Sequence, residues 1–126
     1  MFRHICVVED DADILELLEF NLKRKGYEVT TYNDGTEAYE GISNILPDLV
    51  ILDLTLPGLT GMEICKYLRN NKRTSHIPII ILTARTDESD RLEGLKQGAD
   101  KFITKPFSIK EILANIIELD TSGKRT

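Results

Sequence analysis

Ile79-Ile80-Ile81-Leu82, followed at once by Thr83-Ala84, is the most continuously apolar of the strand-like runs in this chain. A run this short and uninterrupted suits a parallel strand covered by helices on both faces, so it belongs in the middle of a sheet. Leu49-Val50-Ile51-Leu52 reads the same way, and after a loop it is followed by Met62, Cys65 and Leu68 on one helical face. Ile5-Cys6-Val7-Val8 precedes Ile14, Leu15, Leu18 and Leu22, which keep helical spacing up to Gly26. Glu28-Val29-Thr30-Thr31-Tyr32 alternates like a half-exposed strand. Asp34 with Glu37 three residues later resembles a capping box, opening a second helix that ends before Pro47.

Beyond Thr83 a fourth helix is predicted over about Glu88 to Gln97, with Leu92 and Leu95 as its strong anchors. Two anchors make it the least firmly packed of the helices, and it is expected to be the mobile one. Lys101-Phe102-Ile103-Thr104 is the fifth strand. Ser108 and Glu111 open a last helix whose Ile109, Ile112, Leu113, Ile116 and Ile117 form an apolar stripe. Five strand–helix units in strict alternation predict an α/β fold: a doubly wound, five-stranded parallel sheet of order 2-1-3-4-5 with five helices, flavodoxin-like. Residues 1–120 form one domain in this reading, and 121–126 a polar tail or linker stub.

The whole chain has 126 residues, with 16 Lys plus Arg against 21 Asp plus Glu, for a formal charge of −5. Apolar residues at 41% and charged residues at 29% give a globular balance, which argues against a disordered tail or a solenoid. The acidic balance provides no basic field for nucleic acid, and Lys23-Arg24-Lys25 is too short to act as a tail. No stretch approaches the ~20 apolar residues of a membrane span, and no signal peptide is evident, so a cytoplasmic location is expected. Cys6 and Cys65 lack metal-ligand companions and read as reduced core thiols. His4 and His76 read as surface or edge residues, and the four scattered tyrosines do not make a base-stacking platform.

In doubly wound sheets ligands bind beyond the carboxyl ends of the strands, where strand order reverses. Glu9-Asp10-Asp11, Asp53, Thr83-Ala84 and Lys105-Pro106 stand at those ends. Each has an ordinary explanation alone: Asp11 can cap the following helix, Asp53 can end a strand, and Lys105 can be a solvated charge. Together they crowd carboxylates that repel one another until a cation neutralises them. A hard divalent ion such as Mg²⁺, with Mn²⁺ as a substitute, matches all-oxygen ligation by Asp10, Asp53 and the backbone carbonyl of Thr55, with Glu9 assisting through water. Metal on one side and Lys105 on the other would receive a phosphoryl group. With no Cys or His at the rim and no base beside Thr83, the candidate nucleophile is the Asp53 carboxylate, forming an aspartyl-phosphate. Thr83 would hydrogen-bond the new phosphoryl oxygen.

These residues resemble those of a bacterial two-component response-regulator receiver domain. The resemblance runs from Val7-Val8-Glu9-Asp10-Asp11 through Asp53, Pro57, Gly61 and Thr83-Ala84 to Gly98-Ala99-Asp100 and Lys105-Pro106-Phe107. It implies phosphotransfer to Asp53 from a histidine kinase or phosphotransfer protein, Mg²⁺ on the residues named above, and a cis Lys105-Pro106 bond. It also implies a switch in which Thr83 moves toward the phosphoryl group and Phe102 changes rotamer. The activity implied is that of a phosphoacceptor switch that catalyses at most its own phosphorylation and dephosphorylation, with Thr55 and Arg85 flanking the path of water. The downstream effector is not specified by these residues.

The resemblance also implies output through helix four, strand five and helix five, the surface by which receivers attached to winged-helix DNA-binding domains commonly form a homodimer. Arg91 and Glu111 fit its charge pattern, whereas Gln97, Lys101, Asn115 and Glu118 neutralise or reverse it, leaving that dimer, another, or none as alternatives. Three rival functions are weighed. A flavin or nucleotide module needs a phosphate-cradling loop after strand one, where this chain carries three acids. A metal-dependent phosphohydrolase generally places an acid/base Asp two residues after its nucleophile, where this chain has Thr55. A degenerate receiver serving as an interaction module would not need the complete acidic set with Thr83 and Lys105.

Overall fold

Uninterrupted apolar runs become the inner strands of a parallel sheet, because only there are both faces of a strand shielded from water. In the computed structural model, which describes residues 1–84 and 88–122, the strands are β1 (His4–Val8), β2 (Glu28–Tyr32), β3 (Leu49–Leu52), β4 (Ile79–Thr83) and β5 (Lys101–Thr104). The helices are α1 (Ala12–Arg24), α2 (Gly35–Ile45), α3 (Gly61–Arg69), α4 (Glu88–Lys96) and α5 (Ile109–Ser122). The sheet order is β2-β1-β3-β4-β5, all pairs parallel, as the alternation predicts.

Side chains alternate across each strand and so feed two cores. Cys6, Val8, Val50, Leu52, Ile79 and Ile81 face α2 and α3, meeting Ala38, Ile42, Ile64, Cys65 and Leu68. Ile5, Val7, Leu49, Ile51, Ile80, Leu82 and Ile103 face α1 and α5, meeting Leu18, Leu22, Ile112, Ile116 and Leu119. Both cysteines are buried within the cores as thiols outside any disulfide.

Two helices differ from the sequence expectation. Leu92 and Leu95 do not anchor α4; they are 57% and 38% exposed. Gly94 approaches the sheet instead, where an added Cβ would lie 3.0 Å from Ile81 Cδ1 and 3.5 Å from Phe102 Cδ2. A helix that docks on a glycine brings its backbone close and leaves its larger side chains at the rim. On α5, Ile117 is 56% exposed and Leu119 takes the buried place in the stripe. The helix also runs through Thr121 and Ser122, whose hydroxyls bond the carbonyls of Ile117 and Leu119. Arg85, the side chain of Arg91 and residues 123–126 lie outside the described residues.

Caps fix where the helices begin. Asp11 accepts from the N–H groups of Asp13 and Ile14, Asp34 from those of Thr36 and Glu37, and Ser108 from that of Glu111. A reciprocal capping box appears at α3, where Thr60 Oγ1 accepts from Glu63 N and Glu63 Oε1 accepts from Thr60 N.

Candidate functional site

The ladder continues one residue past β1 and β3: Asp53 N donates to Val8 O at 3.0 Å, and Glu9 N donates to Tyr32 O at 3.0 Å. Since Val8 pairs with Leu52, the next residues, Glu9 and Asp53, sit side by side at the carboxyl rim. Leu52 pairs with Ile81 and Thr83 with Thr104, so Thr83 and Lys105 reach the same rim, and Lys105 N donates to Thr83 O at 2.9 Å. The Lys105-Pro106 peptide is cis.

Carboxylate oxygens of Glu9, Asp10 and Asp53 lie within 4.8 Å of one another. Glu9 and Asp53 are buried at 1% and 6% exposure, while Asp10 is exposed and opens the cluster to solvent. Lys105 Nζ stands 2.6 Å from Glu9 Oε1 and 3.3 Å from Asp53 Oδ2, bridging the two buried acids. The remaining Glu9 oxygen accepts from Asp11 N at 3.1 Å, and Asp53 Oδ1 faces Thr55 N at 3.4 Å.

Burial, with the Asp53 charge adding to it, raises the Glu9 carboxyl above its ordinary range, against the opposing pull of Lys105 and the Asp11 amide. Burial alone would lower the Lys105 ammonium; the hydrogen bond to Glu9 and the charges of Asp53 and Glu9 outweigh it and raise it. Among the described residues, the site is thus a short-range balance of three acids and one base, with more negative than positive charge. Three hard oxygen donors with one exposed edge suit a divalent cation that keeps several waters, so the residues present fit Mg²⁺.

Thr83 is buried at the end of β4, and Phe102 is partly buried against the core on the α3 side. Thr55 is exposed between the buried Leu54 and Leu56, and Asp11 is the α1 cap. Of the sequence-predicted set, the structure gathers Glu9, Asp10, Asp53 and Lys105 into one cluster, with Thr55 and Thr83 adjoining it along the backbone. Glu9, expected as a water-mediated ligand, is also the principal partner of Lys105.

A response regulator receiver domain model matches residues 5–117. The chain belongs to the response regulator receiver domain family. A receiver domain is the phosphoacceptor module of two-component signal transduction. Over 116 residues, covering 92% of the chain, it is 47% identical to the phosphate regulon transcriptional regulatory protein PhoB of Rhizobium meliloti, of which it spans 51%. The BeF3-activated N-terminal receiver domain of RstA from Klebsiella pneumoniae is similar in structure, with a TM-score of 0.84 at 32% identity over 91% of this chain and 96% of that one. The chemotaxis protein CheY4 of Vibrio cholerae gives a TM-score of 0.87 at 30% identity, over 94% and 98% of the two chains.

Two pairings in this receiver domain have no local signal in sequence. Arg69, at the end of α3, donates to the carbonyls of Gly98 and Ile77 and pairs with Asp100. Lys101 and Glu118, each set against the expected charge pattern of the output surface, pair with one another between β5 and α5. Among the described residues, no helix is long and apolar enough to cross a membrane.

Proposed function

We propose that this receiver domain, residues 1–120, accepts a phosphoryl group on Asp53 from a phosphohistidine of a histidine kinase or phosphotransfer protein, in a Mg²⁺-dependent step. An Asp53 carboxylate oxygen bonds to phosphorus as the phosphorus–nitrogen bond breaks, and the electron pair returns to the donor imidazole. The observation that carries this reading is the Lys105 ammonium held between Glu9 and Asp53 beside a three-carboxylate cluster. Asp10, Asp53 and the Thr55 carbonyl are the candidate metal ligands, with Glu9 acting through water. The bound ion supplies positive charge that screens the acids from the incoming phosphoryl oxygens.

Lys105 has a double task in this reading. Before transfer it offsets part of the charge of Glu9 and Asp53; after transfer it bonds a phosphoryl oxygen, a charge-assisted contact stronger than a neutral one. Thr83 bonds another oxygen, and its movement frees space that Phe102 fills. Phosphorylation adds about −1.5 to −2 charges. Driving a two-state change from 1:99 to 99:1 needs about 5.5 kcal/mol of differential stabilisation, within reach of a few such bonds.

The readout is assigned to α4, β5 and α5. Leu92, Leu95 and Ile117 are exposed on those helices. The name of the Rhizobium meliloti relative supports an output in transcription. Incubation with acetyl phosphate and Mg²⁺, followed by intact mass, tests the function: one phosphoryl group per chain, abolished by chelator, is expected. Continuous turnover of a generic phosphomonoester, or no adduct with Mg²⁺ present, would contradict it.

A further inference from the structure

The loop between β3 and α3 carries Thr55, and it is pressed against the start of α2. Gly35 N donates to Pro57 O at 2.9 Å. A Cβ at Gly35 would fall 1.7 Å from Leu59 O and 2.7 Å from Leu59 C, a backbone contact that no side-chain rotation relieves. From the opposite side Gly58, at φ 76°, approaches α2 so closely that its Cβ would meet Thr36 Oγ1 at 2.7 Å and the Asp34 carboxylate oxygens at 3.2 Å. Gly35 therefore lets the loop backbone lie on the start of α2, and Gly58 lets the loop pass close over the Thr36 and Asp34 side chains.

Any added atom must part helix from loop by more than an ångström, and α2 is the stiffer side. Its Ala38 and Ile42 are fully buried, and Gly41 seats the Tyr32 hydroxyl, whose oxygen would be 1.9 Å from a Cβ there. Pro57 and Gly58 are exposed and Leu59 only partly buried, so the displacement falls on the loop. Thr55 is two residues before Pro57 on the same loop backbone, between the core residues Leu54 and Leu56. A backbone error of an ångström at a metal or reacting centre is costly out of proportion to its size.

We infer that Gly35 is a positioning residue for the phosphorylation site, acting through Pro57 and Leu59 to hold the loop that presents the Thr55 carbonyl. The inference rests on the proposed site, and its test separates the two. Mg²⁺ titrations followed by amide NMR, on folded protein checked by thermal melting, compare the unaltered chain with Gly35→Ala and Gly26→Ala. Gly26, after α1, has φ 98° and nothing within 4 Å of the place a Cβ would take, so its alanine variant strains the backbone far from the loop.

Gly35→Ala is expected to weaken Mg²⁺ binding about 10- to 100-fold, the range typical of lost outer-shell support, and to shift the Thr55 and Gly58 amides. Gly26→Ala is expected to lower the melting temperature with Mg²⁺ affinity unchanged. Equal affinity for Gly35→Ala and the unaltered chain overturns the proposal, as does an equal loss in Gly26→Ala. Should Gly35→Ala fail to fold, Gly58→Ala decides by the same criterion, loss of Mg²⁺ affinity supporting the proposal and retention overturning it. Absence of saturable Mg²⁺ uptake in the unaltered chain overturns the site reading itself, and this inference with it.

Discussion

Arg69 and Asp100 form an ion pair at 3.0 Å with only 12% and 5% of their side chains exposed. The same guanidinium donates to Gly98 O at 2.9 Å and Ile77 O at 2.6 Å, while Asp100 Oδ2 also accepts from Ile79 N at 2.9 Å. One side chain thus ties the end of α3 to the start of β4 and to the turn between α4 and β5. Removing one partner of a buried pair strands the other charge, typically at about 3–5 kcal/mol. Arg69→Ala is expected to lose about that much in urea unfolding, through a lower midpoint at unchanged slope. A loss below about 1 kcal/mol, the scale of an exposed pair, would show that the network is dispensable.

Cys6 sits at 0% exposure in β1, and burial pushes its thiol from 9.0 up to about 12. The thiolate is the reactive form, so Cys6 is expected to resist a disulfide reagent at about pH 8 until the chain is unfolded. A raised folded-state value means that the unfolded chain loses its proton first as pH rises. The contribution from Cys6 is therefore fully present below about 9 and is lost progressively toward about 12. Rapid labelling of Cys6 in the native protein would contradict its placement.

Amides of α4 are expected to exchange with deuterium faster than those of α1 and α5. Between Leu92 and Lys96 only Gly94 is buried, whereas α1 sinks Leu18 and Leu22, and α5 sinks Ile112, Ile116 and Leu119. Fewer buried apolar contacts lower the free energy of local opening. Protection of α4 equal to that of α5 would remove the physical basis for assigning it to the switching surface.

Lys105→Ala leaves Glu9 and Asp53 without their shared cation. The fold is expected to persist, with the variant still taking up phosphate but failing to pass the change to α4, β5 and α5. The check is the phosphorylation-dependent shift of amide resonances in those elements. A shift as large as in the unaltered chain would exclude Lys105 from coupling.

Much of the fold was legible because strand and helix periodicities are local: Glu28–Tyr32, Leu49–Leu52 and Lys101–Thr104 are strands with the expected bounds. The rim acids were legible because doubly wound sheets send the residues after each strand to one edge. What escaped has through-space causes. Arg69 closes α3, and nothing local in sequence announces the carbonyl and carboxylate acceptors converging on it. Leu92, Leu95 and Ile117 are apolar enough for a core, yet Gly94 and Leu119 face inward because of how their helices are rotated against the sheet. The Thr60–Glu63 capping box was written in the sequence and was obscured by the turn-forming residues just before it.

The most direct measurement is intact mass of the unaltered chain and Asp53→Asn after parallel treatment with acetyl phosphate and Mg²⁺. Both proteins should give matching circular dichroism, with one phosphoryl group on the unaltered chain and none on the variant. Equal phosphorylation of the two would place the acceptor elsewhere and contradict the assignment of Asp53.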